Sequence, residues 1–257
     1  MHMIEGLNVS VTGEGTAVVL LHGFLESSTM WQPLVAVLSK KNKVICIDLP
    51  GFGKSPCVAK IHTMEFFAGR VKRVLDALNV QKILLIGHSM GGYVSLAFSE
   101  LFPEKVNALV LLNSTPQADS PERKKQRNQA VILAQQNKER YVSLAINNLF
   151  TAKAKALFPE EIKQLKTQAK SIPLCGITAA LLGMKQRKDR TQLLKNLSVP
   201  AFLLAGKDDP LIPYSVSKKI AEDARIKLFT LIGGHMAMIE NKDEVVKFLH
   251  LIEYFGI

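Results

Sequence analysis

Ile83-Leu84-Leu85-Ile86-Gly87-His88-Ser89-Met90-Gly91-Gly92 is an apolar run closed by a turn in which a serine sits between glycines placed two positions to either side. The apolar residues read as a buried strand, and apolar positions at spacings of three and four over 90–102 read as a helix. A serine at such a strand-to-helix corner projects above the sheet edge with few neighbours. The flanking glycines let strand and helix pass close beside it. That placement suits a nucleophilic hydroxyl. The bland alternative is a helix N-cap, where serine is favoured, and a G-x-S-x-G pattern is short enough to arise by chance, so its surroundings must decide.

Two candidate partners lie downstream. The strand-like run Pro200-Ala201-Phe202-Leu203-Leu204-Ala205 leads into Gly206-Lys207-Asp208-Asp209-Pro210-Leu211-Ile212-Pro213, which holds two acids. The next strand-like run, 226–231, leads into Gly233-Gly234-His235-Met236. The chain order is therefore serine, aspartate, histidine, each beyond the carboxyl end of a strand. This is the order expected for a nucleophile elbow on a parallel sheet.

The rest of the chain fits such a sheet. Segments 7–11, 17–21, 43–48, 82–86 and 108–112 read as strands, and helical patterns over 29–39, 63–79 and 90–102 separate them. This alternation predicts an α/β fold with a mostly parallel central sheet covered by helices on both faces and joined by right-handed crossovers. A last amphipathic helix is expected over 241–254.

Residues 116–190 break the rhythm. Helical patterns over 121–140, 141–150, 159–170 and 176–188 follow one another without a strand signal, which predicts an all-helical insertion, or cap, in a core formed by 1–115 and 191–257. The insertion carries 15 Lys and Arg against 6 Asp and Glu, so nine of the chain's formal eleven positive charges lie there. Three readings of that charge stand: a solvated helical face, a rim that attracts anionic substrates, or a nucleic-acid surface. No aromatic-rich basic groove or known module supports the last, so no nucleic-acid partner is expected.

Composition excludes several classes. With 257 residues and 47% hydrophobic content, the chain can bury a large core of its own. Cys46, Cys57 and Cys175 are odd in number and have no paired spacing, which argues against a disulfide scaffold or a cysteine-rich metal site. No cluster of metal-ligating residues emerges. No basic-then-apolar leader and no run of 18 apolar residues occurs, so a reducing, cytoplasmic address without membrane attachment is expected. The glycine-rich stretch Asp48 to Ser55 lacks the ending of a phosphate loop.

The segments Leu21-His22-Gly23-Phe24, Asp48-Leu49-Pro50-Gly51-Phe52-Gly53-Lys54-Ser55, Gly87 to Gly92, Gly206 to Pro213 and Gly234-His235 together resemble the α/β-hydrolase superfamily, in the branch of small cofactor-free serine esterases with a helical cap. The resemblance covers roughly 5–115 and 195–257; the insertion matches only in position and helical character. It implies a Ser89–His235–Asp209 triad acting through an acyl-enzyme, without metal or cofactor. Family spacing selects Asp209 over its neighbour Asp208, which stays a rival. The oxyanion donors implied are the backbone amides of Met90 and Phe24. Haloalkane dehalogenases and epoxide hydrolases carry an aspartate where this chain has Ser89, and Trp31 is not beside the nucleophile, so those activities are disfavoured.

What remains is a carboxylesterase or thioesterase acting on small to medium acyl chains, with an anionic or carrier-linked substrate among the candidates, as a monomer or homodimer. The alternatives are C–C bond hydrolysis or elimination, as in the menaquinone-pathway synthase whose His-Gly-Phe and Ser-Met-Gly-Gly segments resemble these, and a ligand receptor on a hydrolase scaffold. Leu25, Met90, Met184, Leu211, Met236 and Met238 are the apolar residues expected to line the pocket. His22 and His88 are expected to be structural, the former holding the loop that presents Phe24. His62 and His250 are expected to be solvated.

Overall fold

The computed structural model describes residues 2–254, with the backbone alone for 250–254, so the expectation for the His250 side chain lies outside the described residues. Eight strands form one sheet: β1 (His2–Ile4), β2 (Leu7–Thr12), β3 (Thr16–Leu21), β4 (Asn42–Ile47), β5 (Ile83–His88), β6 (Val106–Leu112), β7 (Ala201–Gly206) and β8 (Lys227–Leu231), in the order β1-β2-β4-β3-β5-β6-β7-β8. Strands β3 to β8 run parallel. The first two depart from the expected alternation. β1 and β2 are joined by the turn at Glu5-Gly6 and pair antiparallel, and β2 lies antiparallel to β4. No helix separates them, so no crossover can turn the chain round.

The central strands are buried on both faces, as their unbroken apolar runs require. Along β3, Val19 and Leu21 join one core while Val18 and Leu20 join the other. The first core is packed by α2 (Met64–Ala77), α3 (Met90–Leu101) and α10 (Tyr214–Ala224); the second by α1 (Gln32–Leu38), α11 (Ala237–Glu240) and α12 (Lys242–Tyr254). Helix α10 carried no expectation. Its apolar face, with Ile220, Ala221 and Ala224 buried, covers the gap between β7 and β8.

Between β6 and β7 the chain forms α4 (Pro121–Gln136), α5 (Lys138–Asn147), α6 (Ala152–Leu157), α7 (Pro159–Ser171), α8 (Leu174–Gln186) and α9 (Thr191–Lys195). The boundaries follow local caps. Asn137 ends α4 and its side chain accepts from the Arg140 amide to start α5, three residues earlier than periodicity alone indicates. Thr151 caps α6 in the same way, making a helix of a segment that has little apolar pattern. At the far end of the insertion, Arg190 donates to Glu65 on α2 at 2.6 Å and to Glu100 on α3 at 2.7 Å, and its amide donates to the Pro116 carbonyl at 2.8 Å. The two ends of the insertion are thereby joined to each other and to the sheet-covering helices.

Cys46, Cys57 and Cys175 are free thiols. Among the described residues no helix is long and apolar enough to cross a membrane and no cluster of potential metal ligands occurs.

Candidate active site

The polar side chains of the site leave the sheet at or beyond the carboxyl ends of strands: His22 after β3, Asp48 after β4, His88 and Ser89 at β5, Asn113 after β6, Asp209 after β7 and His235 after β8. Parallel strands deliver their loops to one edge, so residues far apart in the chain converge there.

Ser89 has φ 50° and ψ −113°, a conformation costly for any residue with a side chain. The surroundings hold it there. Its amide donates to the Leu112 carbonyl at 3.0 Å, and its carbonyl accepts from the Ser114 hydroxyl at 2.8 Å. Close approach needs the glycines: a Cβ on Gly91 would overlap the Leu21 carbonyl, and one on Gly87 would overlap the Gly91 backbone. The Ser89 side chain makes no capping bond to α3, so the N-cap reading fails. Its Oγ instead lies 2.9 Å from His235 Nε2.

His235 Nδ1 lies 2.8 Å from Asp209 Oδ2. The other Asp209 oxygen accepts from the amides of Leu211 and Ile212 at 2.8 and 3.0 Å, and Oδ2 also accepts from Asn113 Nδ2 at 3.0 Å. Burial alone would raise this carboxyl, but His235, Asn113 and the Ile212 amide hold it below the usual carboxylate range. Asp209 is therefore ionised at neutral pH and accepts from Nδ1–H, which leaves Nε2 as the ring nitrogen that faces the serine hydroxyl. The rival acid, Asp208, is exposed, and the carboxylate against His235 Nδ1 is that of Asp209.

The amides of Met90 and Phe24 donate to no protein acceptor among the described residues. Met90 is the first residue of α3, where the helix dipole favours negative charge. The chain from Gly23 to Glu26 is held by a buried pair absent from the sequence reading. Glu26 Oε2 accepts from the Gly23 amide at 2.6 Å and faces His88 Nδ1 at 2.9 Å, while His88 Nε2 faces the His235 carbonyl at 3.0 Å. A carboxylate and a carbonyl both accept, so both ring nitrogens carry hydrogen and His88 is an imidazolium. Burial opposes that charge, but Glu26 overrides it and raises His88 above the usual histidine value; burial would raise Glu26 in turn, and His88 holds it down. The pair ties the Phe24 loop to the elbow and to the backbone of His235. No periodicity announces it, since Glu26 sits in an irregular loop and its partner is 62 positions away.

This pair has a pH signature. Glu26, depressed on folding, stabilises above its unfolded value and loses that contribution as pH falls through its folded value. His88, raised on folding, stabilises fully below its unfolded value and loses that contribution as pH rises through its folded value. The contribution is thus complete between about pH 4.3 and 6.5, the unfolded values of the two groups, and declines on either side. Glu26→Gln is expected to lower stability by about 3 kcal/mol in that window, as for a buried charge left without its partner. Urea midpoints measured from pH 4 to 9 on wild type and variant check this: the difference should narrow toward alkaline pH, and a pH-independent gap would contradict it.

His22 is structural, as expected. The Leu49 amide donates to its Nε2 at 3.0 Å, so Nδ1 carries the proton and donates to the Gly23 carbonyl at 2.8 Å. Burial lowers its pKa and keeps it neutral. Asp48 ties the neighbouring loops together, accepting from Asn8, Ser28 and Lys54. The expectation of a solvated His62 is wrong: the ring is fully buried, stacked on Phe66 at 5.1 Å and edge-on to Phe67 at 5.3 Å. Aromatic packing against the start of α2 outweighs hydration of the two ring nitrogens, and burial lowers the pKa so that the ring stays neutral.

A cavity of about 280 Å³ opens over Ser89 and His235, near the lower end of ligand-pocket sizes, which start at about 300 Å³. Leu25, Met184, Leu211 and Met236 line it, together with Phe24. Two of the methionines named from sequence lie elsewhere. Met90 packs into the core beneath the elbow, and Met238 belongs to the core on the opposite sheet face, because α11 turns it away from the cavity.

Comparison with known proteins agrees with the architecture. The family model of the alpha/beta hydrolase fold matches residues 16–242. The chain belongs to the α/β-hydrolase family. This α/β-hydrolase is 28% identical over 258 residues to the pimeloyl-[acyl-carrier protein] methyl ester esterase of Aliivibrio salmonicida, covering 96% of each chain. It superimposes on a thermophilic esterase of Thermogutta terrifontis, solved with malate bound, with a TM-score of 0.91 and 30% identity, covering 96% of this chain and 93% of the other. A match to an uncharacterized protein of Mycobacterium tuberculosis, 32% identical over 104 residues, spans only 40% of this chain and 30% of that relative's length.

Proposed function

We propose that this α/β-hydrolase is a serine esterase that cleaves carboxylic esters or thioesters of small to medium acyl chains through an acyl-enzyme. The observation that carries the reading is the unbroken relay from Ser89 Oγ through His235 to Asp209, with distances of 2.9 and 2.8 Å, in the wall of a cavity that Ser89, His235 and Phe24 line. In this mechanism Ser89 Oγ adds to the acyl carbonyl while His235 Nε2 takes its proton. The imidazolium is stabilised by Asp209, and the new oxyanion is met by the amides of Phe24 and Met90. Collapse of the adduct breaks the bond to the alcohol or thiol, which leaves with the proton from His235. Water, activated by the same imidazole, then releases the acid and restores Ser89. The esterase names of the two full-length relatives support the reaction class.

A panel of p-nitrophenyl acyl esters and matched acyl thioesters, from acetyl to decanoyl, tests this. Turnover should peak at short to medium chains, because the cavity over Ser89 is small. Folded protein that turns over no member of either series would defeat the esterase reading.

A further inference from the structure

Part of the insertion's positive charge faces outward and part lines the cavity. Lys124, Lys125, Lys153, Lys155, Lys163 and Lys188 are exposed. Arg123, Arg127 and Arg187 instead line the cavity that holds Ser89 and His235. One carboxylate, Asp119, faces these three guanidinium groups, since Glu26, the other acid on the wall, is paired with His88.

Their partners differ. Arg187 is fully engaged: it donates to Asp119, to the carbonyl of Gln117 at 2.9 Å and to that of Met184 at 3.2 Å, and it stacks over the Tyr93 ring at 4.2 Å. Arg127 donates through Nε to the second Asp119 oxygen at 3.0 Å. Among the described residues the Arg123 guanidinium bonds only to the neutral Gln126 side chain, three residues along its own helix, at 3.1 Å. Its charge meets no carboxylate within bonding distance among the described residues, although burial and the nearby Arg127 disfavour that charge.

A second cavity of about 360 Å³ adjoins the first. It shares Phe24, Arg123, Arg127 and Leu211 with it and is otherwise mostly apolar. Tyr141 lines this second space, and burial pushes its phenol up to about 12, against the pull of Arg127 and Arg123. It is a neutral hydroxyl without a hydrogen-bond partner among the described residues. A guanidinium without a carboxylate partner, shared by both cavities, thus lies beside a phenol without an acceptor that lines the second. An apolar acyl chain alone would leave them unmet, at a cost.

We propose that Arg123, with Arg127 and the Tyr141 hydroxyl beside it, is a subsite for a terminal oxyanion, carboxylate or phosphate, at the remote end of the acyl group. The preferred substrate is then an ester of an acid that carries a second negative charge. This rests on the esterase reading. The acyl side is the one that stays on Ser89 through both half-reactions, so an anchor there acts in each. A guanidinium suits either oxyanion through paired hydrogen bonds, and such charge-assisted bonds discriminate strongly against an analogue that lacks the anion.

Matched esters read this out: p-nitrophenyl hemiglutarate, with a terminal carboxylate, against p-nitrophenyl valerate, of equal chain length without one. Wild type should prefer the hemiglutarate by roughly 10- to 100-fold in kcat/KM, the worth of one charge-assisted hydrogen bond. Arg123→Gln should erase the preference by raising KM for the hemiglutarate, with a much smaller effect on valerate. A purely structural arginine would instead slow both esters alike, which overturns the proposal, as does equal use of the two esters by wild type. Calorimetric titration of Ser89→Ala protein with glutarate and with inorganic phosphate reads the subsite without catalysis. Binding that Arg123→Gln abolishes supports the subsite even if no ester is turned over, and the tighter ligand names the oxyanion. Absence of binding by either overturns it, while valerate turnover would leave the esterase reading standing.

Discussion

Ser89→Ala is expected to lower kcat for any ester the protein turns over by roughly 10⁶-fold, with little change in KM. The hydroxyl oxygen is the only atom lost, and nothing in the fold depends on it. The elbow is fixed by the Ser89 amide and carbonyl, which bond to Leu112 and Ser114, and both survive the substitution. Alanine at φ 50° pays the same backbone strain as serine. Cavity shape, the free amides of Phe24 and Met90, and substrate binding should all persist, so the loss falls on the chemical step. In free energy, 10⁶ corresponds to about 8 kcal/mol of transition-state stabilisation.

The comparison that distinguishes a relay from three independent contributors is the double variant. His235→Ala alone removes the base and should fall to nearly the same floor, and Ser89→Ala combined with His235→Ala should fall no further, since residues acting as a unit are strongly non-additive. Stopped assays at high enzyme concentration would measure the floor. A Ser89→Ala protein that keeps more than a tenth of wild-type kcat would refute the nucleophile assignment.

The parts legible in the chain are those governed by periodicity and by strand ends. Apolar runs located β3 to β7, because strands buried on both faces can hold little else. The positions following β5, β7 and β8 singled out Ser89, the Asp208-Asp209 pair and His235, the family resemblance chose Asp209 from the pair, and the fold brings Ser89, His235 and Asp209 within hydrogen-bond distance. Short or cap-driven elements were harder to see. β1 has three residues and no buried pattern, and α6 begins because Thr151 can accept from Ala154.

The supporting polar residues were invisible for a different reason. Glu26 and Asn113 act through partners 62 and 96 positions away, and only a folded sheet edge makes them neighbours. His62 escaped because its burial depends on α8 lying over the start of α2: Gly183 sits against its backbone, leaving no space for a Cβ. The net charge of the insertion was plain in the composition, but which cations face outward was not. That required knowing which side of α4 looks down into the cavity, where Arg123 and Arg127 stand.

The two adjacent aspartates offer the second large effect. Asp209→Asn should lower kcat by about 10⁴-fold, while Asp208→Asn should leave it within about two-fold, as for most exposed substitutions. The argument lies in what the carboxylate accepts. Asp209 Oδ1 takes the amides of Leu211 and Ile212, and Oδ2 takes both Asn113 Nδ2 and His235 Nδ1. An asparagine in its place keeps one oxygen, which the two amides claim. Its amino group then faces Asn113 Nδ2, a donor against a donor, and can be satisfied only by donating to His235 Nδ1. That forces the proton onto Nε2, which points at Ser89 and can no longer accept its hydrogen. The fold should survive, so thermal denaturation would separate the lost tautomer from lost structure. Because the Asp209 carboxyl is held below the usual range, its own protonation should not limit wild-type activity above about pH 4. Equal losses at 208 and 209, or a larger one at 208, would transfer the acid's role to the exposed neighbour.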